Sequence, residues 1–182
     1  MEFRLFYRGP LKANGDKVHK HDLRLKFHPQ LKRLWDVTPL KDNYLLFPIE
    51  EHMRADHKVG NTIFVPVVTT KLDLVAQIEI VMLRPEEPGA IITKGGDLDN
   101  RLKTLFDALR KPKDLRELPG NYIPPSTEEL IYCLLEDDAL ITGVAMITDR
   151  LLEYSSEDEV VLLIRVQVRG ARTTIDNMSL IG

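Results

Sequence analysis

Apolar and polar residues alternate along two long stretches of the chain. Leu72, Leu74, Ala76, Ile78, Ile80 and Met82 fall on one side of an extended segment, with Asp73, Gln77 and Glu79 on the other. Val160 to Val168 alternates in the same way and predicts the last long strand. Glu2 to Tyr7 predicts a short strand broken at Gly9-Pro10, and Ala139 to Ile147 another. Thr62 to Val68 is β-branched and apolar. With Thr69-Thr70-Lys71 as the connection, it predicts an antiparallel hairpin with the alternating stretch, one face buried. Helical spacing appears over Lys20 to Trp35, where Leu23, Phe27, Leu31 and Leu34 share a side, after the turn signal Asn14-Gly15-Asp16. Pro29 predicts two short pieces or a kink there. Gly95-Gly96 opens a helix to about Lys111, with Leu98, Leu102, Leu105 and Leu109 as its core stripe. Ser126-Thr127-Glu128-Glu129 has the form of a capping box and predicts a short helix through Leu135. Residues 36–60 and 111–125 predict loops, the second insertion-like, and 170–182 a loosely ordered tail. The order of elements argues α+β: a mixed, mostly antiparallel sheet with helices packed on one face, in a single domain over 1–182.

Composition narrows the setting. No apolar run is long enough to span a membrane, and Met1-Glu2-Phe3-Arg4 shows no signal peptide. Cys133 is the only cysteine, so no internal disulfide and no cysteine zinc cluster can form. A cytoplasmic setting is expected. Cys133 in its apolar context, Phe27 and Trp35 read as core, and His19 and His21 as surface histidines of a basic loop. The net charge of -3 conceals an asymmetry. Residues 1–35 hold nine Lys and Arg against three acids, whereas 128–159 hold ten acids against Arg150 alone. A basic arm that tracks phosphate can coexist with acids that bind metal; two solvated faces of opposite sign would look the same. The candidates for phosphate contact are Arg8, Lys12, Lys17, Lys20, Arg24, Lys26, Lys111, Lys113 and Arg116.

The chemistry concentrates in Gly95-Gly96-Asp97-Leu98-Asp99-Asn100-Arg101-Leu102-Lys103 and, far along the chain, Glu136-Asp137-Asp138. Acids in a first helical turn serve as caps, and Lys103 four residues after Asp99 can form a surface ion pair. On a helix Asp97 and Asp99 diverge by about 200°. They face one ion only if Asp97 precedes the helix, which the two glycines permit. Asn100 could then orient a carboxylate or a metal-bound water. Carboxylates gathered from distant segments beside a cation suit a divalent metal and a phosphodiester.

Asp97-Leu98-Asp99-Asn100 with Lys103, then Phe106-Asp107-Ala108-Leu109, then Asp137-Asp138-Ala139 before an apolar strand, resembles the RusA-type Holliday junction resolvases over about residues 76–150. These are homodimeric, magnesium-dependent endonucleases of phage and bacterial origin. The resemblance implies Asp97, Asp99 and Asp138 as catalytic carboxylates and metal ligands, Lys103 as the catalytic lysine, and Asp137 as a neighbouring acid whose role it leaves open. It implies Mg²⁺, or Mn²⁺, as cofactor with no organic cofactor, and branched DNA and a second copy of the chain as partners in recombination and repair. The stretch between Lys103 and Asp137 is longer than in compact members of the family. Two other classes stay open: a non-catalytic DNA-binding protein on the same scaffold, and a domain that docks a basic partner on the acidic face 128–159.

Overall fold

Alternation this regular demands a sheet with one dry face, and the chain builds it from strands far apart in sequence. The computed structural model describes residues 1–41, 57–85, 98–120, 122, 129–153 and 159–181. In chain order its elements are β1 (Glu2–Pro10), α1 (Lys17–Leu34), β2 (Lys58–Val59), β3 (Thr62–Val68), β4 (Leu74–Arg84), α2 (Leu98–Leu109), a 3₁₀ turn (Leu115–Glu117), β5 (Glu129–Leu135), a 3₁₀ turn (Asp138–Leu140), β6 (Ile141–Arg150), β7 (Glu159–Gly170) and α3 (Met178–Ile181). One sheet has the order β1-β7-β4-β6, antiparallel except for the parallel pair β4 and β6. A second has the order β2-β3-β5, with β3 and β5 parallel. The class is α+β, with mixed sheets. No described helix is long and apolar enough to cross a membrane.

The inward positions of β4 (Leu74, Ala76, Ile78, Ile80, Met82) and β7 (Val160, Leu162, Ile164, Val166, Val168) share one core with Leu5 and Tyr7 of β1, Leu23, Phe27 and Leu31 of α1, and Leu105, Ala108 and Leu109 of α2. The other face of this sheet is exposed among the described residues. Across it Phe6, Leu163, Val81 and Ile147 stand in register on β1, β7, β4 and β6, between 36% and 66% exposed. The outer edge of β1 is closed by a side chain: the Gln30 amide accepts from Phe6 N–H at 2.9 Å and donates to Phe6 C=O at 2.8 Å.

Several expectations are corrected. β3 and β4 form no hairpin; Asp73, at φ 50°, turns the chain out of one sheet and into the other. β3 is buried on nearly every residue and needs cover on both faces, which a half-solvated hairpin would not give it. The segment 129–135 is strand β5, not helix, because its parallel pairing with β3 overrides the capping signature, whose residues 126–128 lie outside the described residues. Pro29 sits inside one continuous helix α1, which Asp16 caps by accepting from His19 N–H at 2.8 Å. His19 and His21 lie on that helix and are buried. The tail is anchored: the Asn177 amide, fully buried, donates to Leu72 C=O and Arg172 C=O, each at 2.8 Å, and Leu180 is buried against the core.

Candidate functional site

Helix α2 opens at Leu98 and carries Asp99 in its first turn. Near its start, the Arg101 guanidinium donates to Leu11 C=O and Thr104 Oγ1 accepts from Gly15 N–H at 2.9 Å, so the turn after β1 fixes this end. Asp97 lies outside the described residues. Asp99 and Lys103 are both exposed. Spaced four apart, they project from neighbouring turns of the same side, and neither takes part in an ion pair or side-chain hydrogen bond, with each other or with another group, among the described residues.

The second acidic segment stands at the far end of α2. Lys111 N–H donates to Leu135 C=O at 2.9 Å, and Arg110 and Leu135 form a parallel bridge, so β5 delivers its C-terminus beside the C-terminus of α2. The Glu136 carboxylate accepts from the N–H and the hydroxyl of Thr70, both at 2.8 Å. Partial burial works against its ionisation, but these bonds outweigh it and hold its pKa below the usual value. Asp137 accepts from Ala139 N–H at 2.9 Å, which lowers its pKa, and faces Lys113 Nζ at 3.5 Å. Asp138 Oδ1 lies 4.0 Å from Arg110 Nε. At about 1.5 Å rise per residue, Asp99 and Arg110 are separated by about 16 Å along the helix. Among the described residues no three Asp, Glu, His or Cys side chains are placed to hold a metal ion. Of the set Asp97, Asp99 and Asp138, the structure places Asp99 in the first turn of α2 and Asp138 beside its C-terminal end, where Leu135 of β5 bridges Arg110.

What the structure does gather is cations. Four of the nine residues expected on phosphate, Lys17, Lys20, Arg24 and Arg116, line a single cavity of about 180 Å³ with Asp107, Arg110 and Glu117. Lys20 Nζ is 2.8 Å from Asp107 Oδ2, and Arg110 reaches Asp107 at 2.9 Å and Glu117 at 2.8 Å. Burial opposes the charge on Asp107 and on Glu117, but Lys20 and Arg110 outweigh it for the first and Arg110 for the second, so both carboxyls stay below their usual values. Arg24 corrects the expectation of a surface contact. It is 2% exposed and donates to Arg110 C=O at 3.2 Å and Asp107 C=O at 2.8 Å. Desolvation pulls its pKa down to about 10, which leaves it charged at neutral pH.

The remaining cations are scattered. Arg8 is held by Glu159 at 2.6 Å and Glu153 at 2.8 Å. Lys111 lies 3.8 Å from Glu136, and Lys113 faces Asp137. Lys12 and Lys26 are exposed. Cys133, Phe27 and Trp35 are buried as expected, and burial pushes the Cys133 thiol up to about 12. Sequence reasoning missed Asp107, Arg110 and Glu117 as a charge cluster. The i,i+3 spacing of Asp107 and Arg110 was a local signal; Glu117 had none, since only the fold brings the 3₁₀ turn against α2. No family model, no curated protein and no solved structure matches this chain.

Proposed function

We propose that the chain is a metal-dependent, structure-selective DNA endonuclease of the cytoplasm, which nicks opposed strands of a Holliday junction as a homodimer in recombination and repair. The observation that carries this is the pair Asp99 and Lys103: exposed, on one side of α2, free of ion pairs among the described residues, and two and six residues after Asp97 in sequence. An acid and a lysine at this spacing are near enough to pair, and here each charge stays open to another group. Asp97 and Asp99 would supply the hard oxygens for Mg²⁺ or Mn²⁺, which is commonly held by one or two carboxylates and the substrate's own phosphates. Such an ion supplies polarisation of a phosphodiester and activation of water. The Lys103 ammonium would neutralise phosphate charge on the same side. Asp138 enters this geometry as a charge partner of Arg110 rather than as a third ligand. The exposed row Phe6, Leu163, Val81 and Ile147 supports a second copy as partner, since a two-fold axis through an apolar sheet face makes it self-complementary.

A second reading, a non-catalytic binding module for DNA, is favoured by the engagement of Asp137 and Asp138 with Lys113 and Arg110 at the far end of α2. A nicking assay separates the two. The substrates are a four-way junction, a flap and a linear duplex, each with Mg²⁺, Mn²⁺ or chelator. Paired, metal-dependent cuts confined to the junction are expected. Asp99→Asn should abolish them while keeping or tightening DNA binding, because it removes a ligand and a repulsive charge together. Asp138→Asn should leave them. Cleavage by Asp99→Asn overturns the proposed site, and a folded protein that cuts nothing favours the binding module.

A further inference from the structure

The cavity between α1, the C-terminal end of α2 and the 3₁₀ turn Leu115–Glu117 is distinct from Asp99 and Lys103, and its chemistry is independent of the nuclease proposal. We infer that this cavity is a binding site for a phosphate monoester, with Arg24 and Arg110 as its floor and Lys17, Lys20 and Arg116 as its wall.

Three observations point there. Five cations and two carboxylates line the space. Two of them have carboxylate neighbours outside the lining, Arg116 with Asp114 at 2.6 Å and Arg110 with Asp138 at 4.0 Å, so the space keeps an excess of one positive charge. A phosphate monoester carries about -1.5 to -2 at neutral pH and matches the sign of that excess. Second, the floor is incomplete without an anion. The guanidinium of Arg24 is buried, and its hydrogen-bond partners are two backbone carbonyls and the ring of His21, with no carboxylate among them. Arg110 is 6% exposed and is paired with Asp107 and Glu117 through its terminal nitrogens, but among the described residues its buried Nε has no hydrogen-bond partner. Beside the Phe64 ring and two carbonyls, the Arg24 charge lacks a hydrogen-bonded carboxylate, and a buried charge in this state is costly unless a counter-ion completes it. Third, the size selects. A cavity of about 180 Å³ is smaller than the ~300 Å³ at which pockets begin to hold whole drug-sized ligands, so it suits one oxyanion group and its waters rather than a nucleotide. The carboxylates that face the cavity do not empty it of attraction: Asp107 is shared by Lys20 and Arg110, and Glu117 is taken by Arg110 and the Lys113 N–H at 3.0 Å.

Such a group could be inorganic phosphate or the 5′-terminal phosphate of a nucleic-acid strand. Calorimetric titration of the intact protein with inorganic phosphate, without divalent metal and at constant ionic strength, should show binding. The double variant Lys17→Glu and Arg116→Glu changes two exposed wall residues and should weaken it at least tenfold with an unchanged circular dichroism spectrum. Lys41→Glu with Lys71→Glu imposes the same change in net charge outside the cavity and should stay within twofold of wild type. Anisotropy with a 5′-phosphorylated and a 5′-hydroxyl strand then identifies the source. A tenfold preference for the phosphorylated strand assigns the site to a strand end; equal binding of the strands assigns it to the free oxyanion. Absence of phosphate binding, or equal losses in the two double variants, overturns the site. Neither cleavage nor metal enters this measurement, so its failure and that of the nuclease proposal are distinguishable.

Discussion

Replacing Asp107 with asparagine removes one negative charge and almost no volume from the place where the basic side chains converge. The carboxylate is 13% exposed and serves Lys20 at 2.8 Å and Arg110 at 2.9 Å, whose side chains are 30% and 8% exposed. An amide oxygen can still accept one of these bonds, but of the two described carboxylates that line the cavity Lys20, Arg24 and Arg110 would keep Glu117 alone. Breaking a fully buried pair costs about 3–5 kcal/mol, and the partial exposure of Lys20 brings the expectation to about 2–4 kcal/mol. For a chain of this length that corresponds to a fall in melting temperature of roughly 5–15 °C. The pH dependence gives a sharper test. The folded-state pKa of Asp107 is depressed from 3.8, so its contribution is fully present above the unfolded value and disappears as pH falls through the folded one. Urea unfolding of wild type and Asp107→Asn should therefore differ by a constant amount from pH 7 to about pH 5 and converge only as pH falls through the depressed folded-state pKa of Asp107. A difference under about 0.5 kcal/mol at pH 7, typical of an ordinary surface substitution, would refute the reasoning, as would a difference that survives at low pH.

Other perturbations test separate parts of the molecule. Ile147→Glu, at the most exposed position of the apolar row, should turn a dimer into a monomer in sedimentation velocity while moving the stability of the monomer by no more than about 0.5 kcal/mol. Asn177→Ala leaves Leu72 C=O and Arg172 C=O without donors and should cost about 2–3 kcal/mol, with faster amide exchange over Met178–Ile181.

The sequence carried the identity of strands better than their partners. Alternation marked β4 and β7 because each has one wet face, and the observed burial follows it residue by residue. For β3 the same logic argued against the hairpin: Thr62–Val68 has no polar face, so it could not share a half-solvated sheet with β4. His19 was legible too, four residues before Leu23 on the stripe that continues through Phe27 and Leu31; the basic neighbours hid it. β5 was not, since the Glu-rich approach to it imitates a helix start and only β3 makes it extended. The candidate site divides in the same way. The exposure and proximity of Asp99 and Lys103 follow from local spacing. The separation of Asp138 from them depends on the direction in which β5 enters its sheet, which residues 129–138 do not encode by themselves.

Strand β1 has one strand neighbour, β7, and the rung Glu2 to Gln167 spans 165 residues. Closing a loop of that length must precede any gain from the pairing, so the edge of the larger sheet is completed late. On a ribosome β1 emerges long before its partner and waits, with Phe3, Leu5 and Tyr7 uncovered, until Glu159–Gly170 has been made. Expression yield should thus respond to the speed of synthesis and to chaperone supply more than the stability of the finished protein would suggest, and fragments that stop short of Glu159 should be insoluble.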